Sequence, residues 1–203
     1  MSLVEFEKNL PETPTPESEA IEVKTHGQLL QEIFRQLTRE LDANGNTQNL
    51  RRLREEASLQ LMGFWQREMA LYEDAVKSGK IKTNGELNLG EEKIQITTAE
   101  DYSDEDRLIL SLSRRTPTEN DTFRAERDSL SGRVDNFVFP PTVKSEIRPE
   151  KGEPPDTLFE ITFRNGKIST LSRTSYHLDP DNLLPYVKDQ RAIDFSLFGM
   201  DLY

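Results

Sequence analysis

The sequence predicts an α+β fold in which an N-terminal antiparallel helical hairpin packs on an antiparallel sheet of about five strands. Three observations support this prediction. Apolar residues recur at steps of three and four through residues 26–78, as on one face of a helix. After Gly79 the apolar period changes to two, which is typical of strands. Residues 157–173 then carry the pattern of a β-hairpin around a central Asn-Gly pair.

The two helices have recognisable ends. Thr25 and Gln28 form a capping-box pattern, so the first helix is predicted from about 26 to 43, where an Asn-Gly pair follows. The second helix is predicted from about 47 to 78. A link this short brings the helices together as an antiparallel hairpin.

The second helix has a broader apolar face than one neighbouring helix would cover. This favours packing of the extra face on the sheet, and a partner-binding groove is the alternative. The apolar residues off the main stripe are Leu59, Met62, Met69 and Leu71.

Period-two patterns predict short strands at about 86–89, 93–98 and 107–113. The clearest strand pair is the later hairpin, whose Asn165-Gly166 pair suits a two-residue type I′ turn. With that turn Phe163 faces Ile168 and Ile161 faces Thr170. A shared apolar core face follows, made by Phe159, Ile161, Phe163 and Ile168.

Two polar segments are predicted to lie outside the core. Residues 1–24 are acidic and contain closely spaced prolines, which indicates a flexible tail. Residues 114–133 contain five arginines and few large apolar residues, which predicts a long polar loop. The chain is therefore expected to form one α+β domain over residues 25–203 behind the tail.

The C-terminal residues 192–203 are unusually rich in large apolar side chains. Exposing so many would be costly, which favours a last strand or clip of the core. A docking peptide for another subunit is the alternative. The preceding residues 180–185 contain two prolines and allow at most one helical turn.

Composition excludes several classes of chemistry. The chain has no cysteine and only two histidines, which removes thiol nucleophiles and Cys- or His-cluster metal sites, so no cofactor or metal is predicted. A net charge of −11 repels phosphate backbones and makes nucleic acid an unfavourable partner. No apolar run approaches the roughly 20 residues of a membrane span, and a cytoplasmic location is expected.

Four residues are the candidates for catalysis. Asp156 and Glu160 begin a strand that Lys167 faces across the hairpin, and a metal-dependent nuclease uses such acids beside a lysine. The acids are too closely spaced, and Thr162 stands where a further lysine is wanted. His177 has carboxylates nearby but no identifiable nucleophile, so a structural role in a turn is favoured for it.

Arginines supply the candidate binding surface. Arg51, Arg52 and Arg54 occupy the first turns of the second helix, where the helix dipole disfavours cations. Nearby acids within the chain are the favoured compensation, and the carboxylates or phosphates of a partner are the alternative. The remaining residues predicted for this binding surface are Arg114, Arg115, Trp65, Phe195 and Phe198.

These features favour a non-catalytic protein-binding, adaptor or assembly role. A small metal-dependent hydrolase or nuclease-like enzyme is the second hypothesis. A nucleic-acid or nucleotide binder that uses the arginine segments is the third. The sequence alone does not identify the partner protein or the oligomeric state.

Overall fold

The computed structural model describes residues 25–43, 46–82, 85–100, 107–128, 137–179, 181 and 184–200, and the tail expected at 1–24 lies outside them. Two helices precede eight strands in the chain. Their bounds are α1 His26–Asp42, α2 Thr47–Lys77, β1 Glu86–Leu89, β2 Glu92–Glu100, β3 Arg107–Arg115, β4 Glu119–Asp128, β5 Phe137–Ile147, β6 Thr157–Arg164, β7 Lys167–Leu178 and β8 Pro185–Asp194, followed by a 3-10 turn at Phe195–Phe198.

The α+β class and the antiparallel sheet agree with the sequence prediction, but the sheet has eight strands rather than about five. Each strand pairs with the next in sequence, in the order β1 to β8. The prediction of a long loop at 114–133 is wrong. The strand β4 occupies the central part of this segment and is hydrogen-bonded to β3 on one side and to β5 on the other. β5 and β8 were also absent from the prediction.

Local signals define the helices well. The Thr25 hydroxyl accepts a hydrogen bond from the Gln28 amide at 3.3 Å, and the Gln28 side chain accepts one from the Thr25 amide at 2.9 Å. The predicted capping box is therefore confirmed.

Neither helix in the described part of the chain is long and apolar enough to cross a membrane.

The hairpin of β6 and β7 confirms the predicted turn and its apolar face. Asn165 and Gly166 both have positive φ, 52° and 72°, as a type I′ turn requires. Phe163 faces Ile168 as predicted. Ile161 faces Leu171 rather than Thr170, because an irregularity after residue 162 shifts the register by one.

The helices cover one face of the sheet, and the core lies between the two layers. Of the off-stripe residues in α2, Met69 is buried and Met62 half-buried, whereas Leu59 and Leu71 are exposed. At the end of the chain Phe195 is fully buried and Met200 nearly so. These two side chains belong to the core, as the favoured prediction of a last strand or clip expects.

Candidate functional site

Arg54 lies inside the protein rather than on a binding surface. Its side chain is almost fully buried, with Nε donating to the Ile168 carbonyl at 2.5 Å and Nη1 donating to the Met200 carbonyl at 3.1 Å. The guanidinium carbon also lies 5.0 Å from the centre of the Phe195 ring. Arg54 therefore joins α2 to β7 and to Met200, and its side chain is not exposed to a partner in this structure.

The other two arginines of that group are exposed. Arg52 binds Glu56 at 2.6 Å and Asn49 at 2.9 Å on its own helix, so its charge is compensated internally. The Arg51 side chain makes no hydrogen bond or ion pair with the residues that the structure describes. A binding role for these two side chains remains a prediction.

The remaining predicted binding residues divide in the same way. Arg114, Trp65 and Phe195 are buried, so they are not presented to a partner in this structure. Arg115 and Phe198 are exposed. Together with Arg54, four of the eight predicted binding residues are therefore buried. Their side chains complete the core and its polar contacts.

Arg114 is the centre of a buried charged cluster that the sequence did not reveal. Its Nη1 atom donates to Glu119 Oε2 at 2.8 Å and to Asp121 Oδ2 at 3.0 Å, and its Nε atom donates to Glu92. Glu119 and Asp121 are themselves buried on β4. Three carboxylates therefore surround one guanidinium on the helix-covered face of the sheet.

The cluster also holds the beginning of α1. Glu119 Oε1 accepts hydrogen bonds from the Thr25 hydroxyl at 2.6 Å and from the Gly27 amide at 3.0 Å. A carboxylate at a helix N-terminus satisfies a free amide and interacts favourably with the helix dipole. Glu119 thus links the first turn of α1 to Arg114 and β3.

His26 is fully buried beside this cluster. Its Nδ1 atom lies 3.2 Å from Asp121 Oδ1, although the direction of approach does not make a well-formed hydrogen bond. The imidazole stacks on Phe64 at 4.5 Å between ring centres and meets the edge of Trp65 at 5.1 Å. These contacts give His26 a structural place between α1, α2 and β4.

The pKa values of Asp121, in the cluster, and of Glu68, near it, are shifted in opposite directions. Burial by itself raises the pKa of Asp121, but His26, the Ser145 hydroxyl and Arg114 together bring that pKa below its ordinary value. Burial and the nearby charge of Glu92 raise the pKa of Glu68. Among the described residues, Glu68 Oε2 has no hydrogen-bond partner.

The contacts of the cluster are those of a structural network. None of the described clefts contains Arg114, Glu119 or Asp121 among its lining residues. Within the part of the chain that the structure covers, no group of three His, Cys, Asp or Glu side chains is arranged to hold a metal ion. The visible role of the cluster is to join α1, β2, β3 and β4.

The four catalytic candidates do not come together. Asp156 and His177 line one open cleft of about 550 Å³. Glu160 lines a different cleft, and it lies on the uncovered face of β6 because its neighbours Phe159 and Ile161 are buried under the helices. Lys167 binds Glu55 of α2 at 2.7 Å. The geometry therefore leaves only an acid and a histidine in a common cleft.

The outer strand β8 is largely exposed. Eight of its ten residues are exposed, because the helical layer covers only its C-terminal end near Ile193. Tyr186 and Val187 are each about half exposed, at 52% and 54%. None of the described strands pairs with the outer edge of β8.

Comparison of the chain with protein-family models, with curated proteins and with solved structures finds no significant match. Functional interpretation therefore depends on the residues themselves.

Proposed function

We propose that this chain is a non-catalytic protein-binding protein, of the adaptor or assembly type, that accepts an extended segment of its partner along the outer edge of β8. The observation that carries the proposal is the exposure of this strand on both faces and along its free edge. The outer edge of an edge strand offers backbone amides and carbonyls to a partner strand. Main-chain hydrogen bonds supply much of the affinity in such pairing.

Apolar side chains at the start of β8 support the same surface. Tyr186 and Val187 are adjacent in the strand, so their side chains point to opposite faces. Leu178 faces Pro185 across the β7 and β8 pair, and it is also exposed, at 38%. An edge that carries apolar groups on both faces provides contacts above and below an added strand.

The charged residues of β8 limit which partners can pair with it. Lys188, Asp189 and Arg191 follow the apolar start of the strand. Charges on an exposed edge prevent indiscriminate pairing and aggregation. A suitable partner segment therefore needs apolar residues opposite 186–187 and polar or charged residues beyond them.

The test compares capture of partners by the intact protein and by a double variant, Tyr186→Lys with Val187→Lys. We expect the double variant to remain folded, since both side chains are half exposed, and to lose partners that the intact chain retains. Leu59→Lys is the matched control, because Leu59 is exposed, at 76%, on α2 rather than on β8. Urea unfolding of each variant verifies that the fold is intact.

Hydrogen exchange of the recovered complex then tests the mode of binding. Those amides of residues 186–192 that point away from β7 should become protected when the partner is bound, whereas the outward amides of β1, the other edge strand, should not. Recovery of the same partners by the double variant, or equal loss with Leu59→Lys, would contradict the proposal. So would a complex in which the β8 amides stay unprotected.

A small hydrolase is the second candidate, because Asp156 and His177 share one cleft. A carboxylate and an imidazole in one cleft are the parts of a general acid–base pair. The test is hydrolysis of phosphoester and carboxylic ester substrates by the intact chain and by Asp156→Ala and His177→Ala. Activity lost in both variants and kept in Glu160→Ala would favour the enzyme over the binding protein.

A further inference from the structure

Arginines from three elements and one connecting segment line a third open cleft, of about 730 Å³, between the outer surface of α1 and the strands β5 to β8. Arg35 belongs to α1, Arg148 directly follows β5, and Arg173 and Arg191 come from β7 and β8. The cleft adjoins that of Asp156 and His177. These arginines are far apart in sequence, with a separation of 156 residues between positions 35 and 191. The fold, not a local sequence motif, places them around one cleft.

The side chains of three of these arginines, Arg35, Arg148 and Arg173, have no hydrogen-bonded or ionic partner among the residues that the structure describes. The protein contains 37 acidic against 26 basic residues, so carboxylates for pairing are abundant. Cations that converge on one cleft and remain unpaired in such a chain are available to an anion from solution.

The walls of the cleft are held in place. Arg173 lies over the Phe34 ring at 6.0 Å, and the Arg148 amide donates to the Thr118 carbonyl at 2.8 Å. Arg191 is fixed by Asp42, with Nη1 to Oδ2 at 3.1 Å and Nη2 to Oδ1 at 2.5 Å. A site whose donors are already positioned loses less entropy when a ligand binds.

Carboxylates also line this cleft, so it does not present positive charge alone. Asp156 and Asp189 are among its lining residues. The backbone of Asp156 is fixed on both sides, because its amide donates to Ile147 and its carbonyl accepts from Tyr176. These carboxylates would accept hydrogen bonds from hydroxyl or amino groups of a ligand.

We propose that this cleft binds a small anionic ligand whose phosphate or carboxylate group is held by Arg148, Arg173 and Arg35, and whose hydroxyl or amino groups face Asp156. The planar guanidinium matches both oxyanions with paired hydrogen bonds. The net charge of −11 repels anions at long range, so local recognition in the cleft must select the ligand. Asp189 and Arg191 of β8 line this cleft, but Tyr186 and Val187, the apolar start of the β8 edge, do not.

The test is an NMR titration of the full chain at low ionic strength with three probes: inorganic phosphate, glycerol 3-phosphate and citrate. We expect saturable shifts of amide signals at Arg35, Arg148 and Arg173. Arg148→Gln and Arg173→Gln should each weaken binding about tenfold, as expected for the loss of one charged two-point contact. Comparison of phosphate with citrate separates the two oxyanion chemistries.

Arg164→Gln is the matched control, because Arg164 is an exposed arginine at the end of β6 and does not line the cleft. It should leave the dissociation constant unchanged. Arg148→Lys keeps the charge without the planar fork, and we expect binding between that of the intact chain and that of Arg148→Gln. Should a glutamine variant fail to fold, this lysine variant still tests the site.

Glycerol 3-phosphate should bind more tightly than inorganic phosphate to the intact chain, and Asp156→Asn should reduce that difference. The proposal is overturned if none of the three probes gives saturable shifts, or if Arg164→Gln weakens binding as much as the cleft variants do. Binding of a glutamate-rich peptide but of none of the small anions would also overturn it. Because none of these variants alters Tyr186 or Val187, these outcomes are distinguishable from failure of the β8 proposal.

Discussion

The two ends of α1 are held by the same kinds of charged group in opposite surroundings. At the N-terminal end, Glu119 binds the Gly27 amide and Arg114, and both ionised side chains are buried. At the C-terminal end, Asp42 binds Arg191 in a paired contact, but both side chains are largely exposed, at 64% and 42%. Burial is therefore the main difference between these two anchors.

That difference determines how much each contact matters. Water and salt screen an exposed ion pair, and ordering two long side chains offsets most of its attraction. A buried pair is weakly screened, and removing one member leaves an uncompensated charge in the interior. The N-terminal anchor of α1 should consequently be sensitive to substitution and the C-terminal anchor tolerant.

The largest effect is expected for Glu119→Ala. The change would leave Arg114 with fewer partners and would remove the acceptor for the Thr25 hydroxyl and the Gly27 amide. We expect the free energy of unfolding to fall by about 3–5 kcal/mol, the usual cost of breaking a buried pair. Urea unfolding measures this cost, and a loss no larger than that of Asp42→Ala would show that burial does not distinguish the two anchors.

A smaller but substantial loss is expected for Gly27→Ala. An added Cβ would lie 2.7 Å from Glu119 Oε1 and 2.9 Å from a methyl group of Ile147. Since Glu119 is held by several hydrogen bonds, relief of this contact should cost about 1–3 kcal/mol of stability. Thermal and urea unfolding provide the measurement.

Gly63→Ala is the control for that substitution. Gly63 lies inside α2, and an added Cβ would meet no atom within 4 Å. Alanine should stabilise the protein there by about 0.5–1 kcal/mol, since glycine is unfavourable within a helix. Changes of the same sign at both positions would contradict the close packing at Gly27.

Glu68→Gln sharpens the electrostatic side of the comparison. Because the pKa of Glu68 is raised in the folded protein, its contribution to stability is fully present below the ordinary glutamate pKa of 4.5 and is lost as pH rises through the folded pKa. Glutamine resembles the protonated side chain, so the variant should be more stable than the intact protein at pH 7. The gain should disappear in acid.

Urea unfolding at pH 7 and below pH 4.5 tests this sign. The exposed Glu73 on the same helix provides the control, and Glu73→Gln should not show the same pH-dependent gain. A destabilising effect of Glu68→Gln at pH 7 would mean that the charged form is stabilised by Arg114 and Arg67 more strongly than burial disfavours it.

The smallest effect is expected for Asp42→Asn at the other end of α1. Arg191 holds the pKa of Asp42 below its ordinary value through a hydrogen bond, but the carboxylate is largely exposed. Any stabilisation is therefore expected above the unfolded pKa and should be lost as pH falls through the folded one. At physiological salt we expect no measurable change in urea unfolding, and a clear loss would show that the exposed pair acts as an anchor.

The accuracy of sequence-based prediction follows a similar division. The capping box at Thr25 and the turn at Asn165 and Gly166 depend on neighbouring residues, and both are present. The candidate site was less predictable. Arg54 and Arg114 read as exposed cations, because charged residues are rarely buried without partners. The partners of Arg54 are 114 and 146 residues away in sequence. Glu119 and Asp121 are close to Arg114 in sequence, but they meet it only when β3 pairs with β4.

Three strands escaped prediction for different physical reasons. β4 carries Glu119 and Asp121 on its buried face, so the usual alternation of apolar and polar residues is absent. β5 contains adjacent prolines at 140 and 141, which argue against a strand. β8 is exposed on both faces over most of its length, and no apolar period marks it.

Short-range patterns by themselves determine the helices, the turn of the β6 and β7 hairpin and the apolar face of β6, because caps, turns and alternation act between residues close in the chain. Tertiary structure alone decides which charges are interior and which converge on a cleft. Arg114 meets Glu92, and Arg35 shares a cleft with Arg173, only after the strands are aligned and the helices laid across them. Desolvation depends on the surrounding atoms of the whole fold, and no local pattern encodes it.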